Sequence, residues 1–184
     1  MSPILVNKLP IRRLTIVGAG LMGGSLARAL RPSLDHLALI DANPHTRQAA
    51  AGLADLITDD LAAGVAGADM VILATPVRAI LRLLTELPAA RPDGCLLMDL
   101  GSAKTAVCQA MSSLPPTFQS IGGHPMCGKE TAGFAAADPH LYQNQTFVLC
   151  RNGRTTSHIE QTALAIVAHI GSHPLFLPPD VHDR

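Results

Sequence analysis

The most constraining feature of this sequence is a glycine-rich turn between an aliphatic run and a helical segment. The run Leu14–Val17 leads directly into Gly18-Ala19-Gly20-Leu21-Met22-Gly23, which opens the helical segment Leu21–Leu30. In such a unit the first glycine allows a tight turn, the second lets the backbone approach a pyrophosphate, and the third lets the helix pack close to the strand. The free N–H groups and the positive end of the helix dipole then face the phosphates. The unit predicts a dinucleotide-binding fold.

An acidic residue follows the turn at the spacing typical of such folds. Asp41 ends the next aliphatic run, 23 residues after Gly18, where a carboxylate can accept hydrogen bonds from both hydroxyls of an adenosine ribose. Because this carboxylate would repel a 2′-phosphate, the sequence favours NAD over NADP. Two alternatives stay open. Asp41 is an ordinary helix N-cap before Pro44, or Arg47 binds a 2′-phosphate rather than being a solvated helix residue.

The remainder of the chain alternates short aliphatic runs with longer segments of helical period, a pattern typical of βαβ units. The expected fold class is therefore α/β, with a Rossmann-type, doubly wound and mostly parallel sheet. Thr75 and Pro76 follow a strand at the sheet edge where ligands sit, and they join Leu21 and Met22 as candidates for cofactor binding. The predicted strands are Leu14–Val17, Leu37–Ile40, Met70–Ala74, Leu96–Asp99, Phe118–Ile121, Thr146–Leu149 and Leu175–Leu177. The predicted helices are Leu21–Leu30, His45–Leu53, Val77–Leu87, Ala103–Ser112 and Ile159–Ile170.

Composition narrows the class of ligand. The chain has 184 residues, of which 48% are hydrophobic and 15% charged, which favours one well-buried globular domain. Lys plus Arg and Asp plus Glu both number 14, so no net charge attracts nucleic acid or an anionic membrane. The apolar runs are too short to cross a bilayer and no signal pattern precedes them, which predicts a cytoplasmic protein. The four cysteines form no CxxC pair, which indicates reduced thiols and no metal site.

Two segments carry polar residues where a hydrophobic core does not require them. Ser102 is a natural N-cap for the predicted helix Ala103–Ser112, and Lys104 is either a surface residue of its first turn or a charge near a site. Cys127 is expected to be a small apolar filler rather than a nucleophile. Glu130 suits the first turn of a helix as well as a site. The segments are Asp99-Leu100-Gly101-Ser102-Ala103-Lys104 and Gly122-Gly123-His124-Pro125-Met126-Cys127-Gly128-Lys129-Glu130.

His124 is the strongest candidate for acid–base chemistry. Oxidation of an alcohol requires a group that accepts the hydroxyl proton while hydride leaves the same carbon, and neutral imidazole suits this role. Pro125 favours an extended backbone at His124, and Gly122 and Gly123 let the chain pass close to a ligand in the expected loop. The alternative is a structural histidine bonded to a backbone carbonyl.

Behind a dinucleotide turn, these two segments resemble the prephenate and arogenate dehydrogenase family, whose NAD domains carry similar Gly-Ser-x-Lys and Gly-x-His-Pro-x-x-Gly segments. The resemblance implies that His124 accepts a hydrogen bond from the substrate's ring hydroxyl. It also implies that Ser102 bonds His124 or that hydroxyl, and that Glu130 lies near the mouth of the substrate site. The implied reaction is the NAD-dependent oxidative decarboxylation of prephenate to 4-hydroxyphenylpyruvate, or of arogenate to tyrosine, in tyrosine biosynthesis. Two alternatives are another Rossmann NAD(P)-dependent reductase, of the β-hydroxyacid dehydrogenase or imine reductase type, and a non-catalytic NAD-sensing module.

The resemblance further implies an all-helical second domain that forms a homodimer and completes the substrate site. The ending Pro178–Arg184 is similar to the junction that leads into that domain. We therefore expect an N-terminal extension over residues 1–12, an NAD-binding domain over 13–178, and the start of a junction over 179–184. The helical dimerisation domain is expected to be absent from this chain, whether it is truncated or naturally short. Alone, the chain is expected to be nearly inactive.

Overall fold

A computed structural model describes residues 9–128 and 131–184 of the chain. Its centre is an eight-stranded sheet in the order β3-β2-β1-β4-β5-β6-β7-β8. Neighbouring strands are parallel except β6 and β7, which are antiparallel. The strands are β1 (Arg13–Val17), β2 (His36–Ile40), β3 (Leu56–Thr58), β4 (Met70–Leu73), β5 (Leu96–Asp99), β6 (Gln119–Pro125), β7 (Thr146–Cys150) and β8 (His173–Phe176). The predicted doubly wound, mostly parallel sheet is confirmed.

Helices cover both faces of this sheet because strand side chains alternate between the faces. Leu14 and Ile16 of β1 pack in the cluster that includes α1 and α6. Val17 packs in the opposite cluster, with α3, α4 and α5. The helices are α1 (Leu21–Leu30), α2 (Pro44–Ala49), α3 (Leu61–Val65), α4 (Val77–Ala90), α5 (Thr105–Ser112), α6 (Ser157–His169) and α7 (Pro179–His182), with short 3₁₀ turns at Arg31–Ser33 and Phe134–Ala136.

The structure differs from the predicted elements in several places, including the predicted helix His45–Leu53, which ends at Ala49. Strand β3 and helix α3 were not predicted, because three and five residues are too few to show a period. Strand β6 continues to Pro125, so His124 lies in a strand rather than a loop. The extension forms because Gly122–Pro125 pair with the antiparallel strand β7. It was not predicted because glycines are unfavourable inside a strand. The helix for which Glu130 would form the first turn was expected over Thr131–Ala137, but there the structure forms only the 3₁₀ turn Phe134–Ala136.

Both ends of the described chain pack against the domain. Leu9 and Ile11 are buried in the same cluster as β1, so the core begins before the expected domain start at residue 13. At the other end, α7 lies against the start of α5, where the Thr105 hydroxyl donates to the Pro179 carbonyl at 3.2 Å. Among the described residues, no helix is long and apolar enough to cross a membrane.

Candidate active site

The glycine turn joins β1 to α1 at the carboxyl end of the sheet. Gly18 has φ +96°, and a Cβ there would lie 2.8 Å from the Ala74 carbonyl oxygen. A Cβ on Gly23 would lie 1.8 Å from the Gly18 oxygen, so only glycine lets α1 begin this close to the turn. At Gly20 a Cβ would meet nothing within 4 Å. The open side of the turn is therefore the side on which a ligand can approach the backbone.

Asp41 both braces this turn and faces a cleft. Its Oδ2 accepts a hydrogen bond from the Ala19 N–H at 2.8 Å, and its Oδ1 accepts one from the Asn43 N–H at 2.9 Å. The N-cap of α2 is Asn43, whose side chain accepts from the His45 N–H, so Asp41 is not that cap. The cleft has a volume of about 390 Å³, and its lining includes Gly18, Gly20 and Asp41.

Arg47 is held beside the cleft instead of being solvated. Its Nη1 donates to the carbonyl oxygens of Asp41 and Ala42 at 2.8 and 3.0 Å. Its Nη2 forms an ion pair with Asp59 at 2.9 Å. The guanidinium is therefore already committed to carbonyls and a carboxylate, and a 2′-phosphate would have to compete with them.

A second cavity of about 470 Å³ adjoins the first. The two share a boundary formed by Gly20, Ala74, Thr75 and Pro76. The second cavity is also lined by residues from the predicted cofactor and catalytic sets, namely Leu21, Met22, Ser102, His124 and Cys127. The fold thus brings the two sets of candidates together around two adjoining cavities.

Thr75 carries an unsatisfied polar atom at this boundary. In the described part of the chain, its buried hydroxyl oxygen has no hydrogen-bond partner. An unpaired buried hydroxyl is costly, and such a group in a cleft is often completed by a ligand. Together with the open backbone at Gly20, this orphaned hydroxyl fits a bound dinucleotide.

His124 projects from the end of β6 into the second cavity. Its Nδ1 lies 2.8 Å from Nε2 of His182, whose own Nδ1 lies 2.7 Å from Oδ1 of Asp183. Burial lowers the pKa of His124 to about 4, and His182 and Lys104 shift it in the same direction. The imidazole of His124 is therefore neutral at pH 7 and able to accept a proton.

Lys104 is fully buried, which excludes the first of its two alternatives, a surface residue. Its ammonium group pairs with the Asp99 carboxylate and donates to the Gly123 carbonyl at 2.8 Å. Asp99 also accepts from the N–H groups of Gly101 and Gly123 at 2.8 and 3.2 Å. Because Lys104 bonds the carbonyl of Gly123 and Asp99 bonds its N–H, this network fixes the backbone of the residue that precedes His124. Burial raises the pKa of Asp99, against the lowering influence of Lys104.

Ser102 is exposed at the cavity wall and does not cap α5, which begins three residues later. The cap is supplied from the end of the chain, because Asp183 accepts from the N–H groups of Lys104 and Thr105 at 2.7 and 2.8 Å. Burial alone would raise the pKa of Asp183, but these donors and the His182 ring hold it well below its usual range. Within the described residues, His124 hydrogen bonds to His182 rather than to Ser102.

The remaining candidates are Cys127 and Glu130. Cys127 lines the second cavity, and burial raises the pKa of its thiol to about 11, which leaves it protonated and poorly nucleophilic. All four cysteines are free thiols. Glu130 lies outside the described residues. Among the described residues, no group of three or more His, Cys, Asp or Glu side chains could hold a metal ion.

Comparison with known proteins decides the family. A sequence profile described as "Prephenate dehydrogenase, nucleotide-binding domain" matches residues 26–176. This chain belongs to the prephenate dehydrogenase family. The prephenate dehydrogenase of Bacillus subtilis is 33% identical over 91% of the chain and 47% of its own length.

Solved structures of the prephenate dehydrogenase family share this fold. One is the Aquifex aeolicus prephenate dehydrogenase in complex with hydroxyphenyl propionate and NAD+, with TM-score 0.85 and 26% identity over 96% of this chain and 63% of that one. Another is the Synechocystis arogenate dehydrogenase, with TM-score 0.81 and 27% identity over 92% of this chain and 61% of that one. The predicted nucleotide-binding domain is confirmed. The chain spans about half the length of the curated relatives it matches.

His182 and Asp183 are the site residues that the sequence did not reveal. They lie 58 and 59 positions after His124 and follow a Pro-Pro pair, where they suggested only a domain junction. The one available signal was the polar ending Asp180–Arg184, in which His182 and Asp183 do not stand out from their charged neighbours. Only the fold shows that the end of the chain returns to the start of α5 and so reaches His124.

Proposed function

We propose that this domain binds NAD and acts in the oxidative decarboxylation of a cyclohexadienol, either prephenate or arogenate. The main support for the proposal is that the cofactor cleft adjoins the cavity lined by His124 and shares four lining residues with it. A dinucleotide lying on the glycine turn would pass Thr75 and enter the cavity of Ser102 and His124. The tyrosine-biosynthetic role and the cytoplasmic location stay predictions, as does a homodimer of the whole protein.

Residues of the first cleft fit the adenosine and pyrophosphate of NAD. The backbone from Gly18 to Gly23 offers N–H groups at the start of α1 to a pyrophosphate. Asp41 offers its carboxylate to the ribose hydroxyls, and the orphaned Thr75 hydroxyl offers a further polar contact. When bound, NAD supplies the hydride acceptor for the ring carbon that bears the hydroxyl.

In this proposal His124 handles the proton of that hydroxyl. Its Nδ1 is engaged by His182, so Nε2 is the nitrogen that remains for the substrate. Nε2 accepts the hydroxyl proton as the ring carbon becomes a carbonyl. When carbon dioxide leaves and the ring becomes aromatic, the same nitrogen returns the proton to the oxygen. The depressed pKa of His124 keeps the imidazole in its accepting form at neutral pH.

The carboxylates of the substrate need cations that the described residues do not supply in this cavity. Lys104 is committed to Asp99 and Gly123 and is fully buried. Each missing charged hydrogen bond removes about 1.5–3 kcal/mol of binding. We therefore expect the 184-residue chain alone to turn over either substrate barely or not at all, and we propose a helical partner domain as the source of these contacts.

NADH formation by the natural gene product that carries this chain tests the proposal, with prephenate and arogenate assayed separately. His124→Asn should lower kcat by about 10²- to 10⁴-fold and leave NAD affinity nearly unchanged. Ser102→Ala should cost less. If neither substrate yields NADH, a non-catalytic NAD-sensing role is favoured. If His124→Asn retains near-normal turnover, His124 is a structural histidine.

A further inference from the structure

Three side chains in a row lead from the end of the chain to the proposed proton acceptor. Asp183 is fixed by the N–H groups of Lys104 and Thr105 at the start of α5. It contacts Nδ1 of His182, and Nε2 of His182 contacts Nδ1 of His124. The His182 side chain is only 6% exposed. The row is therefore held at both ends by backbone that the sheet and α5 position.

The chemistry of the first contact fixes the proton on His182. Asp183 is an ionised carboxylate and can only accept, so Nδ1 of His182 must carry the hydrogen in that bond. In neutral His182 the other nitrogen, Nε2, is then a hydrogen-bond acceptor. The donor in the second contact must consequently be Nδ1–H of His124. With its one proton on Nδ1, neutral His124 presents a free lone pair on Nε2.

We infer that His182 and Asp183 are positioning residues that hold His124 in the Nδ1–H tautomer, the form whose Nε2 can accept a proton from a substrate hydroxyl. The inference deepens the proposed function and rests on it. In the structure His182 takes the contact with His124 that the family resemblance had implied for Ser102. This positioning role also explains why Asp183 caps α5, because the cap anchors the far end of the row next to Lys104, which in turn holds Gly123.

In this row each hydrogen bond has a defined donor and acceptor, and the positions of the protons can be measured. If His182 carried two protons, its Nε2–H would donate to His124 and force the proton of His124 onto Nε2. His124 would then present a donor to the substrate rather than an acceptor. A purely structural contact would hold the rings in place with either arrangement of protons.

Nitrogen-15 NMR of the imidazoles in the 184-residue chain reads this arrangement directly, without any need for turnover. At pH 8, His124 should show a protonated Nδ1 and an unprotonated Nε2. A through-hydrogen-bond coupling should join its Nδ1 to Nε2 of His182. We expect about a tenfold excess of this tautomer, as a well-made buried hydrogen bond would give. In His182→Phe the excess should fall to about unity or below, whereas His182→Gln, whose amide oxygen can accept the same proton, should restore most of it.

The matched control is His158→Phe, which changes an exposed histidine at the start of α6 and should leave the His124 signals unchanged. A wild-type His124 with its proton on Nε2 would overturn the inference, and so would a His182→Phe protein that keeps the full tautomer excess. If His182→Phe fails to fold, the wild-type coupling and the His182→Gln spectrum decide. These results are independent of NADH formation, so failure of the inference and failure of the proposed function can be told apart.

Discussion

The buried Asp99–Lys104 pair offers the sharpest test of how the site is supported. Lys104→Met keeps a side chain of similar length but removes the ammonium group that contacts Asp99 and the Gly123 carbonyl. Breaking a buried ion pair by deleting one partner costs about 3–5 kcal/mol, because it leaves a buried charge without compensation. Asp99 keeps its N–H donors from Gly101 and Gly123, which places the expected loss of unfolding free energy near the lower end, ~3 kcal/mol at pH 7.

The pH dependence of that loss identifies the charge as its cause. Burial raises the pKa of Asp99 in the folded protein, and removal of Lys104 takes away the main opposing influence. A carboxyl whose folded pKa lies above its unfolded value gains protons on folding, so its contribution to stability improves as pH falls. The deficit of Lys104→Met should therefore shrink between pH 7 and pH 5, as Asp99 becomes neutral.

Urea unfolding of the 184-residue chain at both pH values measures the effect. Arg82→Met is the control, because Arg82 is 71% exposed on α4 and its change should cost no more than about 0.5 kcal/mol. Adding Asp99→Asn to Lys104→Met should recover part of the loss at pH 7. A loss below about 1 kcal/mol, or one that grows as pH falls, would show that an uncompensated charge on Asp99 is not its cause.

Two further predictions concern the cofactor cleft and His124. The chain should bind NAD in preference to NADP, and Asp41→Ala should lower the affinity for NAD and so reduce the difference between the two affinities. Asp59→Asn should raise the affinity for NADP by about tenfold or less, because it releases Arg47 from its ion pair. Calorimetric titration with each cofactor checks this, and tighter binding of NADP by the unmodified chain would contradict it. Because the folded pKa of His124 is about 4, lower than that of a free imidazole, the stability that it contributes is complete above pH 6.5 and is lost as pH falls toward 4. The free energy of unfolding should therefore fall by about 1–2 kcal/mol between pH 7 and pH 5. If the His124→Asn variant loses as much stability over the same range, His124 is not the source of the loss.

Local sequence patterns predicted the parts of the fold that depend on local chemistry. The glycine turn was predictable because a side chain at these positions would clash or block a ligand. At Gly23, for example, a Cβ would lie 1.8 Å from the Gly18 carbonyl oxygen. Helix α6 was predictable from its apolar stripe, whose residues are buried in the structure. Strand β3 and helix α3 were missed because they are too short for any period to appear.

The site was predictable only where its residues are close in sequence or share a strand end. His124 and Ser102 were expected near the cofactor, and they do line one cavity. The burial of Lys104 was not foreseen, since its partner Asp99 had no visible role in the sequence. The contact of His182 with His124 depends on a return of the chain across the sheet, and no local pattern encodes that return.

A crystal structure of this chain with NAD+ would show directly where the dinucleotide lies. We predict the pyrophosphate at the turn from Gly18 to Gly23, the adenosine ribose on Asp41, and the nicotinamide in the cavity lined by Ser102 and His124. A nicotinamide bound away from His124, or a dinucleotide that leaves the glycine turn empty, would contradict this prediction.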